Sequence, residues 1–428
     1  MQKVLIITYY WPPAGGPGVQ RWLKFVKYLG DFAIEPLVYI PENPTYPIVD
    51  RSLLDEVPES VRILSHPIVE PYGWASLFSK KKARRMSSGI IQKDNKQSLL
   101  EKAMLWIRGN VFIPDARRFW VGPSTRFLAE IIEREKIKTM ITTGPPHSLH
   151  LIGLALKNRF QLEWITDFRD PWTTIGYHKQ LRLTKMAAQK HKQLEQEVLQ
   201  RADKVVVTSR VTQKELGFLT NKPIKVITNG YDGKAATDDL DGKFTISHIG
   251  SMLTGRNPLV LWQVLHELIL ENEVFKAHFQ LKLIGVVSED IVTSLQEYRL
   301  SEFVQQLGYV DHHEVLEHQM RSQILLLVEI DALQTKGIIP GKLFEYMASS
   351  RPILAIGPED WEAGTIVEET RSGKKFNHTD AEKLKTVLLA WFDAYQTGKL
   401  KVHPKGIERY SRKALTKELT NFIRWESS

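Results

Sequence analysis

Short apolar runs rich in β-branched residues recur along the chain, and helical patterns follow them. They are KVLIITYY at 3–10, IEPLVYI at 34–40, KTMITT at 138–143, LEWIT at 162–166, KVVVT at 204–208 and IKVIT at 224–228. After a polar stretch at 232–242 the pattern restarts with FTISHIG at 244–250, FQLKLIG at 279–285, ILLLVEI at 324–330 and RPILAIG at 351–357. Alternation of this kind builds parallel sheet with helices on both faces. The restart predicts two α/β domains, each doubly wound: 1–238, 239–402, and a closing segment 403–428 free to pack back on the first domain. The last segment carries an amphipathic pattern over 411–425.

A chain of 428 residues that is 43% hydrophobic has the material for two such cores. It has no cysteine, which excludes disulfides and thiolate metal sites and suits a cytoplasmic protein. Met1 is followed almost at once by strand residues, with no room for a signal peptide. The longest clean apolar run, ILLLV at 324–328, falls far short of the roughly 18 residues that cross a membrane. The expectation is a non-secreted protein that meets a membrane, if at all, from outside.

The net charge of +9 is densest in KKKARR at 80–85. Beyond it, Leu99, Leu100, Met104, Leu105, Trp106, Ile107, Val111 and Phe112 stand among Lys102, Arg108, Arg117 and Arg118. Two readings stand: a solvated loop followed by a segment packed into the domain, or a basic apolar surface for anionic lipid. No nucleic-acid recognition motif accompanies the charge.

In open α/β sheets ligands bind beyond the carboxyl ends of strands, and the unusual residues fall there. PPAGGPG follows the first run, TTGPPH follows KTMITT, DFRDPW follows LEWIT, GSMLTGR follows FTISHI and KGIIPGKLFEY follows ILLLVEI. Gly337, Pro340 and Gly341 precede a helix expected from Lys342, which would aim backbone N–H groups at an anion. Lys342 would add charge and Glu345 would accept from a ribose diol; the same two residues also suit a solvated i,i+3 pair. Arg256 offers a planar fork to the same anion, or is a surface arginine.

Taken together these stretches resemble the retaining glycosyltransferases of the GT-B fold, family 4, also called group 1. The resemblance rests on PPAGGPGVQR, NGYD at 229–232, HIGSMLTGR and PGKLFEYMASSRPIL, and it runs from about Lys3 to Gly357. TTGPPHSLH and DFRDPW are similar to segments of a bacterial subgroup that builds surface polysaccharides. The resemblance implies two Rossmann-like domains facing each other across a cleft, the first on the acceptor side and the second binding a nucleotide-diphosphate sugar. It implies a metal-independent reaction that retains anomeric configuration, a glycan or polyprenyl-linked acceptor, no cofactor and no nucleic acid.

Carried over to this chain, the resemblance assigns Glu345 to the ribose, and Gly15 and Gly16 to the loop nearing the diphosphate. It places Gly250, Arg256, Gly341 and Lys342 around the phosphates. His147 matches a sugar-contacting histidine, and Asp167, Arg169 and Asp170 line the acceptor side. For His147 a structural role, and for DFRDPW an Asp/Arg network fastening a loop, also fit the residues. The chain departs from the family at Gly337, where a glutamate is usual, and at Ser251, where an arginine is usual.

Other readings follow from these departures and from the shared fold. They are a catalytically silent scaffold that binds nucleotide sugar and a sugar-nucleotide 2-epimerase. A dinucleotide dehydrogenase fails, because Gly16-x-Gly18 is followed by Arg21 in place of a third glycine. Asp239-Leu240-Asp241 matches a metal-binding D-x-D but falls in the expected linker.

Overall fold

The computed structural model of the chain describes residues 1–70, 99–233, 239–310 and 312–425. The basic run at 80–85, the side chains of Leu99 and Leu100, and residues 234–238 of the expected linker lie outside them. The chain divides into two compact units, Met1–Asn229 with Arg412–Ser428, and Gly230–Ser411. The sequence reading placed these changes at 238/239 and 402/403.

The first unit holds a seven-stranded parallel sheet in the order β3-β2-β1-β4-β5-β6-β7. The strands are β1 (Gln2–Ile7), β2 (Ile34–Pro41), β3 (Arg62–His66), β4 (Thr139–Gly144), β5 (Glu163–Phe168), β6 (Lys204–Val207) and β7 (Ile224–Val226). Successive side chains point to opposite faces, so an unbroken apolar run serves both. Leu5, Ile7, Leu37, Met140 and Trp164 pack beneath the helices Val121–Glu135 and Ser148–Arg159, whereas Val4, Ile6, Ile34, Ile141 and Ile165 face Pro17–Leu29.

The helix Arg412–Arg424 belongs to this second face. Its Leu415, Leu419, Phe422 and Ile423 join that core. Arg412 Nη2 donates to Gln20 Oε1 at 2.8 Å, and Lys204 Nζ donates to the Ile423 carbonyl at 2.9 Å.

In the second unit a six-stranded parallel sheet runs β10-β9-β8-β11-β12-β13. Its strands are β8 (Phe244–Ile249), β9 (Phe279–Ile284), β10 (Val304–Gly308), β11 (Ile324–Val328), β12 (Ile353–Ile356) and β13 (Gly373–Phe376). Phe244, Ile246, Leu326 and Leu354 pack with the helices Leu259–Glu271 and Ala381–Gln396. On the other face Leu325, Leu327, Ile353 and Ala355 meet Lys342–Ala348 and Glu362–Glu369. The expected class holds: α/β, doubly wound in each unit.

Three strands escaped the sequence reading: β3, β10 and β13. Each lies at a sheet margin and has one neighbour, so most of its side chains meet solvent and no continuous apolar run marks it.

Leu419 is 1% exposed while Lys417 beside it is exposed. Leu419→Ala is expected to lower the stability of the first unit by about 2–5 kcal/mol, and Lys417→Ala by less than about 0.5 kcal/mol. Hydrogen exchange of the β1 and β2 amides checks this.

Candidate functional site

Strand order reverses between β1 and β4 in the first unit and between β8 and β11 in the second. Loops leaving adjacent strands at such a point diverge over opposite faces, leaving a crevice at their carboxyl ends. The loops picked out by composition begin at these strands or their neighbours.

After β1 each glycine has its own cause. Gly15 donates its N–H to the Ile48 carbonyl at 3.0 Å, and a Cβ there would lie 2.9 Å from Ile48 Cγ2. Gly16 has φ 104°, a left-handed backbone that glycine adopts freely, and its carbonyl accepts from Val19 and Gln20 to start the helix. Gly18 makes room for a cation: a Cβ would fall 1.8 Å from Arg169 Nη1. Arg169 is pinned to the end of β4. Its Nε donates to the Gly144 carbonyl at 3.2 Å, and its Nη2 donates to the Pro145 carbonyl.

Asp167 is fully buried at the end of β5. It accepts from Arg21 Nε at 3.3 Å and Nη2 at 3.0 Å, from Trp22 Nε1 at 2.7 Å and from Thr143 Oγ1 at 2.9 Å. Four donors match the lone pairs of a carboxylate, so this group fastens the helix Pro17–Leu29 to the sheet. Asp170, by contrast, is exposed.

His147 precedes the helix Ser148–Arg159 and is buried. Its ring stacks on Trp172 at 4.8 Å and 4°, and neither ring nitrogen has a partner. Burial, with the neighbouring His150 and Arg169, holds its pKa well below the usual value, so the imidazole is neutral and offers one donor and one acceptor. His150 pairs Nδ1 with Thr142 Oγ1 at 2.8 Å, and burial brings its pKa down to about 3. Gly144 fits both rings, since a Cβ there would lie 2.6 Å from His150 Nε2 and 3.1 Å from His147 Nδ1.

In the second unit Gly250 ends β8 with φ 108°. Lys342 Nζ lies beneath it, 3.5 Å from where a Cβ would stand. The ammonium donates to the Ile249 carbonyl at 2.9 Å and meets His248 Nε2 at 3.2 Å. Burial and the charge of Arg256 bring the Lys342 pKa down to about 7, with Glu329 opposing. Arg256 is itself held by the wholly buried Glu329, through Nε at 3.0 Å and Nη2 at 3.1 Å.

Glu345 is half-buried one turn into the helix, where Gln319 Nε2 donates to it at 3.3 Å. Gly341 has an ordinary helical φ of −56°. Gly337 lies in the turn before it, which Trp361 closes by donating Nε1 to the Ile338 carbonyl at 2.7 Å. Asp241 accepts from Lys282 Nζ at 2.7 Å and Asp239 pairs with Arg321 at 3.0 Å. Among the described residues no group of three or more acids or histidines is arranged to hold a metal.

The sequence reading missed Gly18, Arg21, Trp22, His248 and Glu329. One carried a signal: Glu329 follows directly on the apolar run ILLLV.

Two parallel sheets of seven and six strands flanked by helices define the GT-B fold. No known family and no curated protein matches the chain by sequence. Solved structures do match by shape. Sucrose-phosphate synthase from Thermosynechococcus elongatus is 14% identical with a TM-score of 0.62, over 99% of this chain and 98% of that one. A variant of TarM from S. aureus, in complex with fondaparinux, α-GlcNAc-glycerol and UDP, is 13% identical at 0.58, over 99% and 100%. A candidate UDP-N-acetylglucosamine 2-epimerase from Listeria monocytogenes is 13% identical at 0.55, over 99% and 95%. At such identities the likeness is one of fold.

Removing one member of a buried ion pair strands the other. Asp167→Ala is expected to destabilise the first unit by about 3–5 kcal/mol, and Asp170→Ala by less than about 0.5 kcal/mol, in urea unfolding of the full chain.

Proposed function

We propose that the chain is a retaining, metal-independent glycosyltransferase. It moves a sugar from a nucleotide-diphosphate sugar to a glycan or lipid-linked acceptor in the synthesis of cell-surface polysaccharide. The observation that carries this reading is the pair of cations, Lys342 and Arg256, at the point where the second sheet reverses. Negative charge develops on the departing nucleoside diphosphate, and fixed positive groups stabilise it where a metal otherwise would.

On this reading Lys342 and Arg256 Nη1 contact the phosphates, with Gly250, Gly337 and Gly341 allowing close approach. Glu345 accepts from the ribose. Gly15 and Gly16 shape the loop toward the diphosphate. His147, neutral and unpartnered, meets a sugar hydroxyl; Arg169 and Asp170 serve the acceptor, and Asp167 holds their frame. No protein nucleophile is assigned, and the leaving phosphate assists attack on the same face.

A lipid-linked acceptor is supported by one surface. Trp106, Ile107, Val111, Phe119 and Met186 are between 41% and 83% exposed. Asn110 joins the segments that carry them, donating to the Arg182 carbonyl at 3.3 Å and accepting from the Thr184 N–H at 2.7 Å. Between 102 and 119 and between 181 and 190 the one acid is Asp115, spent on the start of the helix Ser148–Arg159. An apolar patch with basic surroundings fits anionic lipid. Trp106→Asp with Phe119→Asp is expected to abolish sedimentation with phosphatidylglycerol vesicles, and phosphatidylcholine vesicles to bind neither form. Equal binding by both forms would remove this surface from the reading.

The likeness to an epimerase keeps a second reading, in which the same donor site changes the sugar without an acceptor. Thermal shifts with UDP-, GDP-, ADP- and dTDP-sugars should pick out one donor for wild type, reduced in Glu345→Ala and unchanged by EDTA. Transfer of its sugar to a lipid-linked acceptor supports the transferase. An epimer formed without acceptor supports the second reading, and binding without turnover supports a silent scaffold.

A further inference from the structure

His248 is 1% exposed inside β8, where an apolar residue would serve the sheet. Its Nδ1 lies 3.1 Å from the Leu326 carbonyl. The Ser251 backbone also bonds the ring; a carbonyl only accepts and an ammonium only donates, so beside the Lys342 ammonium the proton sits on Nδ1 and the Nε2 lone pair faces Nζ at 3.2 Å. The ammonium has three N–H donors. Two are spent on His248 and on the Ile249 carbonyl, and the third remains for a ligand.

We propose that His248 is a positioning residue for Lys342: its fixed tautomer holds the ammonium at the strand end with one N–H left to meet a nucleoside diphosphate. This rests on the donor site proposed above and adds how that site responds to pH. The groups around Lys342 divide by sign. Arg256 disfavours the ammonium, Glu329 favours it, and Glu345 lies on the same helix. Tyr346 Oη accepts from the Ile249 N–H at 3.0 Å, and burial holds its phenol protonated. His248 stays neutral because burial and the Lys342 charge push its pKa well below the usual range.

Free Lys342 loses its proton as pH rises through about 7, and a bound diphosphate restores it. Affinity is therefore full below pH 7 and falls with rising pH, approaching tenfold per unit until the pKa of the bound form is passed.

The test is calorimetric titration of the full chain with UDP, GDP, ADP and dTDP between pH 6 and 9.5. Wild type is expected to weaken from about pH 7 and to take up close to one proton at pH 8. Lys342→Met is expected to bind weakly without that fall. His248→Phe removes the acceptor, so its fall should begin at lower pH, while His248→Gln, which can bridge the same two groups, should restore the wild-type onset. A folded His248→Phe with the wild-type onset overturns the inference and leaves the donor site standing. Failure of all four diphosphates to bind wild type overturns the donor site and the inference with it. Nitrogen NMR of the wild-type imidazole needs no variant: a neutral ring protonated on Nδ1 is expected, and protonation on Nε2 alone overturns the proposal.

Discussion

Burial on both faces is the constraint from which the rest of each unit follows. A strand such as β1 sends Leu5 and Ile7 to one side and Val4 and Ile6 to the other, and neither set tolerates water. Helices must cover both faces, so the chain crosses at the ends of the sheet. Each crossover then concentrates loops at the carboxyl edge, and reversal of strand order draws two of them apart. Polar chemistry has nowhere else to gather, because the remainder of the sheet is closed.

The same closure explains how charge is handled at those edges. Each unit buries a carboxylate at a strand end and meets it with two N–H groups of an arginine: Asp167 with Arg21, and Glu329 with Arg256. Burying both charges costs desolvation that the attraction only partly offsets, so such pairs are weak sources of stability. Their value here is geometric. Arg21 and Trp22 lock the first helix against β5, whereas Arg256, 31% exposed at its side chain, is fixed yet still reaches solvent. One pair closes its site and the other presents a cation.

The class of fold was legible because the buried strands need no partner information: runs such as VLII in β1 and ILLLV in β11 are apolar on successive positions. The marginal strands were not, since β10 reads VQQLG and β13 reads GKKF, and only the neighbouring strand makes them strands. The glycine loop after β1 was legible as unusual but not as to cause. Gly18 looks like part of a failed dinucleotide motif until Arg169, far along the chain, is seen filling the space of its missing Cβ. Asp167 shows the same limit. Sequence left it open between acceptor chemistry and fastening a loop, and its donors come from two separate segments, the helix Pro17–Leu29 and β4.

A lysine that titrates near neutrality suits the proposed reaction better than one permanently charged. A cation that binds donor and transition state equally well tightens binding without speeding the chemical step. Transfer of the sugar leaves a nucleoside diphosphate with one more negative charge than the donor carried. A group whose proton affinity rises with that charge interacts more strongly as the bond breaks, and this is the direction in which burial and Arg256 have moved Lys342. Such a group must be held in one place, and His248 and the Ile249 carbonyl hold it.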